Sequence, residues 1–236
     1  MKLTTQQIDQ LYLFTRQHYV EWYDLQSELV DHLANAIEAQ WQEKPKLTFD
    51  EILNKEFGKF GVFGFMDVVE KRQSILSKKY NHLVFNHFKE FFILTKIALT
   101  LAITFVLFKI LKFNFFNEFI FVGIFIFYLG FLIIEFFKSN KIKKAKQKAN
   151  QKKWLFEEII NQYGSFSGAL GMPFYFLVQF STHAERYMVS DYWYFMVSFM
   201  IVIVGIINYI LFRIIPLKAT AYLLQTYPEY GLTKQH

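Results

Sequence analysis

Residues 138–153 hold eight lysines in sixteen positions and no acidic side chain, and long apolar stretches lie on either side of them. No other feature constrains the fold as tightly. An apolar run of about 20 residues spans the ~30 Å hydrocarbon core of a bilayer as a helix. In lipid every backbone group must be satisfied internally, which leaves helices or closed barrels as the spanning structures. A short lysine-rich loop between two pairs of spans stays on the cytoplasmic side and sets the orientation. Lys138, Lys141, Lys143, Lys144, Lys146, Lys148, Lys152 and Lys153 are therefore read as topology determinants. They also attract anionic headgroups, by about 1 kcal/mol for each lysine near the surface.

The apolar residues are unevenly spread. The chain has 236 residues, of which 53% are hydrophobic and 30 are phenylalanine. They crowd into the region after Phe91, while the first ninety residues have the composition of an ordinary soluble domain. The expected architecture is all-α: a small helical head over residues 1–80, then a membrane region over residues 81–216. Spans are expected near residues 91–111, 115–137, 165–182 and 192–215, with a tail over residues 217–236. The formal charge of +6 is misleading as a whole, because residues 1–80 carry ten Lys/Arg against twelve Asp/Glu. The positive excess is juxtamembrane, which favours a lipid and topology role over nucleic-acid binding. The first ten residues lack an apolar stretch, so no cleaved signal peptide is expected. The absence of cysteine rules out disulfides and thiolate chemistry.

Two capping boxes mark helix starts in the head. Thr4 is followed three residues later by Gln7, and Thr48 by Glu51. The first helix should place Ile8, Leu11 and Phe14 on one face and end near His18. The second should run from Glu21 to Glu43, with Trp22, Leu25, Leu29, Val30, Leu33 and Ile37 inward. Asp24, Glu28, Asp31 and Glu38 fall on the opposite side, within about 80° at helical spacing. They form an acidic face with no Lys or Arg at i+4 to neutralise it. A third helix opens at Thr48, with Gly58 as its stop. The glycines at 58, 61 and 64 lack the order of a phosphate loop and are read as a helix-to-helix turn. A last helix should start near Phe65 and run towards the bilayer, with Lys71, Arg72, Lys78 and Lys79 close to the surface.

Tyr23-Asp24, Glu28-Leu29, Asp31-His32, Ile37-Glu38, Thr48-Phe49-Asp50-Glu51 and Phe57-Gly58 together resemble the bacterial HAAS-type signalling domain. The resemblance covers roughly residues 5–80. It implies a small helical module ahead of membrane segments in a bacterial inner membrane, acting with a PadR-like transcriptional regulator. It brings no catalytic residues.

In the membrane region the lysine run is expected to extend the second span as a helical stalk. Trp154, Leu155 and Phe156 then read as an interfacial anchor. The third apolar segment is short and holds Gly168, Gly171 and Pro173. Small residues there would let helices approach closely, and a re-entrant segment is the alternative. Asn208 is the buried polar residue of the fourth span, and Pro216 follows it. An even number of spans leaves both termini cytoplasmic.

No catalytic pattern is present. Residues 164–168 read GSFSG, with phenylalanine where a nucleophilic serine would stand. Glu28 and His32 stand at a metal-binding spacing but lack a second histidine. No enzyme activity, cofactor or metal is expected. The reading is a multi-span, non-enzymatic signalling or regulatory protein. Its head binds a cytoplasmic protein partner through Asp24, Glu28, Asp31 and Glu38. An accessory subunit of a larger membrane complex, or a homo-oligomer, is the alternative. A small transporter ranks third, because only Asn208 and Gln179 offer polar groups near the midplane.

Overall fold

The capping boxes and apolar periodicity of the first ninety residues become four helices in the structure, a computed structural model describing residues 2–113, 117–148, 152–163 and 190–234. Among the described residues there is no strand. The chain divides into two units.

The first unit gathers Met1–Lys78, Lys152–Glu158 and Leu223–His236. Helix α1 spans Thr5–Gln17, α2 Tyr23–Glu43, α3 Phe49–Gly58, and α4 begins at Met66 and runs to Glu90. Both capping boxes form. Thr4 Oγ accepts from the Gln7 N–H at 3.3 Å while the Gln7 side chain accepts from the Thr4 N–H at 2.9 Å. Thr48 and Glu51 do the same for α3.

Helix α1 closes with a Schellman motif. The Tyr19 N–H donates to the Arg16 carbonyl and the Val20 N–H to the Thr15 carbonyl, both at 3.1 Å. Tyr19 therefore takes φ 64°, a conformation that glycine usually fills. Helix α3 ends at Gly58 as expected, but Gly58 is not the left-handed glycine that turns the chain. The chain continues in ordinary αR conformation to Lys59, and the reversal is made by Gly61 at φ 78° and Gly64 at φ 55°.

Leu11, Val20, Leu25, Leu33, Ile37 and Ile52 form the fully buried centre of this unit. Beside them Phe14, His18, Phe57 and Phe65 pack at ring distances of 4.1–6.2 Å, the two closest pairs tilted and the other four edge to face. Aromatic pairs prefer that geometry because the positive ring edge meets the negative ring face. The apolar arc read from α2 is the one buried. Asp24 is the exception on the opposite side, and it is taken up below.

The second unit comprises Lys79–Gln151 and Ile159–Tyr222. It holds α5 (Leu94–Phe113), α6 (Asn117–Lys148), α8 (Asp191–Tyr209), a π-helical turn (Ile210–Ile214) and most of α9 (Ile215–Thr226); α7 (Leu155–Tyr163) enters it at Ile159. Two helices are long and apolar enough to cross a membrane, Leu94–Lys112 and Asp191–Thr226. In their most apolar windows only 17% and 33% of residues are buried, whereas a soluble core helix would be mostly covered.

Helices α5 and α8 pack on Leu111 and Val197, flanked by Tyr194 and Ile201. Thr100, Thr104 and Ser198 are buried, and each hydroxyl donates to the carbonyl four residues earlier, at 2.7–3.0 Å. Hydroxyls satisfied within their own helix let two helices approach without stranding a polar atom. Lys112 Nζ and Asp191 Oδ2, 2.6 Å apart, tie one end of this pair.

The lysine run does extend the second apolar stretch as one helix, since α6 continues to Lys148. Pro216 does not end the last helix. The helix continues through it to Thr226 after a π turn, in which the Ile215 N–H donates to the Ile210 carbonyl. A proline cannot donate to the carbonyl four residues back, and its ring crowds that carbonyl. The wider turn accommodates both effects. The expected spans near residues 91–111 and 192–215 thus lie on the two candidate helices. The span near 115–137 lies on α6. The third, near 165–182, falls outside the described residues.

A three-segment junction at the start of helix α2 as the candidate functional site

Three chain pieces far apart in sequence meet at the first turn of α2. Asp24 stands at the second helical position, where a carboxylate complements the positive end of the helix dipole. It is 8% exposed. Its Oδ1 accepts from the Leu155 N–H at 3.1 Å, and its Oδ2 accepts from the Tyr227 hydroxyl at 2.7 Å. Leu155 is the first residue of α7, so one carboxylate caps a second helix N-terminus as well as stabilising its own. A buried carboxylate left without such donors would be costly, and here both oxygens have one.

The rest of the junction repeats this arrangement. The Tyr23 N–H donates to the Lys153 carbonyl at 2.8 Å. Lys153 Nζ meets Glu21 at 2.7 Å, and that hydrogen bond raises the lysine pKa and keeps it charged. Lys152 Nζ lies 3.6 Å from the centre of the Tyr23 ring. The Trp22 indole N–H donates to Glu158, and the Tyr230 hydroxyl donates to Glu157 at 3.0 Å. Trp154, 2% exposed, sits between the rings of Tyr23, Tyr227 and Tyr230 at 4.9–5.4 Å. Burial, with the Asp24 charge beside it, pushes the Tyr227 hydroxyl pKa well above the ordinary phenol range. Burial and Glu157 do the same for Tyr230. Both hydroxyls are therefore held as proton donors.

The four acidic residues read from α2 are not brought together as one exposed face. Asp24 is internal, covered by Leu155 and Tyr227. Glu28 is 59% exposed in its side chain, with Arg72 Nη2 at 4.0 Å. Asp31 is exposed. Glu38 is half-buried and accepts from the Leu3 N–H at 2.9 Å. Helical phase gave the direction of each side chain correctly, but it could not show that remote segments would cover the first turn.

The lysines divide too. Lys138, Lys141 and Lys144 are exposed on α6, and Lys138 lies 3.7 Å from Glu135. The side chains of Lys143, Lys146 and Lys148 lie outside the described residues. Lys152 and Lys153 are fastened to the head. Among the described residues, the ion pair between run and head is Lys153 with Glu21 rather than with the four residues of the acidic face.

Trp154, Leu155 and Phe156 correct the reading of an interfacial anchor. All three are at most 2% exposed, and Trp154 and Leu155 are packed into this junction. Tyr227 and Tyr230 went unnoticed in the sequence. Their hint is the pair of tyrosines around a Pro-Glu turn in a tail otherwise read as solvated.

Gly168, Gly171 and Pro173 lie outside the described residues. Asn208 is 6% exposed. Its Nδ2 donates to the Val204 carbonyl at 2.8 Å, and its Oδ1 accepts from the Tyr128 hydroxyl of α6 at 3.4 Å. The pairing joins α8 to α6 directly beside the π turn.

Two further features of the head are exposed. The turn between α3 and α4 presents Val62 at 99% and Phe63 at 72% exposure, and Tyr19 is 78% exposed. Among the described residues no group of three or more His, Cys, Asp or Glu is placed to hold a metal ion. Compared with family models, with curated proteins and with solved structures, the chain has no match.

Proposed function

We propose that the protein is a non-enzymatic, multi-span membrane protein of the bacterial inner membrane, whose helical head lies in the cytoplasm and binds a partner protein. One observation carries this reading: after each apolar excursion the chain returns to the same helical unit. Lys79–Gln151 leaves the head and comes back at Lys152, and Ile159–Tyr222 leaves and comes back at Leu223. With the head on one side of a bilayer, each excursion crosses an even number of times. Four spans satisfy that condition, and the exposed lysines of α6 support a cytoplasmic head by the positive-inside rule. The start of α2 is then where the inner ends of both excursions are read together, through Lys153–Leu155 and Tyr227.

The output surface is the exposed remainder of the head. Glu28 and Asp31 supply negative charge, while Tyr19, Val62 and Phe63 supply apolar contact. A tyrosine held at φ 64° with its side chain in solvent costs stability that packing does not return, a pattern met at functional surfaces. By the resemblance of residues 5–80, a PadR-like regulator is the first partner to test.

The test is a titration of such a regulator onto the full-length protein in nanodiscs. Glu28→Lys with Asp31→Lys should weaken capture and remove its salt dependence, since charges at a rim act through long-range attraction. Phe63→Ala should weaken it without changing the salt slope. Unaltered binding in both variants would show that this surface is not the output.

A further inference from the structure

Helix α4 carries a second surface that the head's partner contact does not use. At about 100° per residue, Val69, Leu76, Tyr80 and His87 fall on one narrow arc of α4, and all four are at most 7% exposed. Lys71, Ile75, Lys78, His82, Phe85 and Lys89 fall on an arc of about 80° centred roughly 160° away. All six are exposed, with Ile75 at 50% and Phe85 at 53%. Between Lys71 and Lys89 that outer arc holds no carboxylate; Asp67 precedes it, in the helix's first turn. Lys89 Nζ lies 4.4 Å from the centre of the Phe85 ring, so charge and apolar surface form one patch.

From this placement we infer that the outer face of α4 lies on an anionic phospholipid surface. The inference rests on the membrane reading above. A row of lysines separated by large apolar side chains suits a headgroup layer, where stems and rings enter the acyl boundary and ammonium groups reach back to phosphate. It suits water poorly, because Ile75 and Phe85 gain nothing there. It suits an acidic protein less well, since no acidic group on this face offers a reciprocal pair. Position supports the same occupant. Helix α4 ends at Glu90, and the first candidate span begins at Leu94. The face is therefore continuous in sequence with a segment that enters the bilayer. Removing its three lysines should weaken attraction to anionic lipid on the order of a hundredfold.

The chain has no cysteine, so single nitroxide labels can be placed cleanly on the full-length protein. Labels go at Ile75→Cys and Phe85→Cys, with Asn54→Cys as an aqueous reference and Val106→Cys, on α5, as a lipid reference. The protein is reconstituted in nanodiscs containing phosphatidylglycerol, and collision with oxygen is compared with collision with a water-soluble nickel complex.

The expected result is an oxygen preference at Ile75 and Phe85 that approaches Val106. It should fall back towards Asn54 when Lys71, Lys78 and Lys89 are all changed to Glu. Nickel access equal to that at Asn54 would overturn the proposal while leaving Val106, and the membrane reading, intact. Shielding from both reagents would also overturn it, by placing a protein or a second copy on this face. A Val106 label open to nickel would instead sink the membrane reading itself.

Discussion

Asp24 shows how one side chain can join distant parts of a chain. Its two acceptor bonds are to Leu155 and Tyr227, which are 131 and 203 residues away. A hydrogen bond to a charged acceptor contributes about 1.5–3 kcal/mol, so Tyr227→Phe should lower the head's stability by that order. Asp24→Ala should cost more, because it leaves a buried N–H and a buried hydroxyl without their acceptor. The double variant should cost less than the sum of the two. Denaturant unfolding followed by tryptophan fluorescence reads this directly, since Trp154 lies in the junction.

The same residues predict an alkaline limit. Tyr227 and Tyr230 have pKa values raised above the ordinary 10.0. Below pH 10 their contribution is complete. Above it the unfolded chain loses these protons while the folded chain keeps them, so the unfolded state binds fewer protons and stability falls with rising pH. A variant with Phe at both positions should lose most of that slope in a pH series of melts. Tyr19 gives the opposite case. Tyr19→Gly relieves a left-handed backbone at little packing loss and should stabilise by about 1 kcal/mol, measured as a higher melting temperature. Buried apolar positions of α2 were legible in the sequence because periodicity reports them. Asp24 was not, because its environment is made by residues with no periodic relation to it.

Among the elements, the starts marked by a capping box were read most accurately, whereas α2, which has none, begins at Tyr23 rather than Glu21. Capping boxes are local chemistry, and both formed at the positions that Thr4 and Thr48 mark. The end of α3 at Gly58 was read correctly, but the left-handed reversal is made by Gly61 and Gly64 instead. Gly58 has an ordinary φ and nothing within 4 Å of an added methyl, whereas Gly64 has φ 55° and the Phe57 ring 2.9 Å from where a Cβ would sit. Gly58→Ala should therefore be neutral or stabilise α3 by up to about 1 kcal/mol. Gly64→Ala should destabilise the head by about 1–3 kcal/mol, through backbone strain and displacement of Phe57. Equal melting shifts for the two would refute this account of the turn. Pro216 shows a related limit. A proline excludes a regular α-turn before it, but a π turn lets the helix pass through, and sequence alone does not distinguish the two outcomes.

At the scale of the molecule, composition separated the chain into a soluble and an apolar part, and the structure divides it likewise. Composition could not show that the soluble part is assembled from three pieces. Residues 152–156 read as the end of the lysine run and an interfacial anchor, and residues 223–234 as part of a tail, because an isolated Trp-Leu-Phe or Tyr-Pro-Glu-Tyr carries no mark of its destination. Their packing against α2 turns a list of spans into a topological claim. The proposed topology puts the head, the end of the lysine run and the C-terminal segment on one side of the bilayer, and takes that side, from the positive charge, to be the cytoplasm. Reaction of single cysteines at Asn54 and Glu229 with a membrane-impermeant maleimide tests this most directly, in cells before and after permeabilisation. Both sites should be silent in intact cells and react together once the membrane is opened. Labelling of either one in intact cells would contradict it.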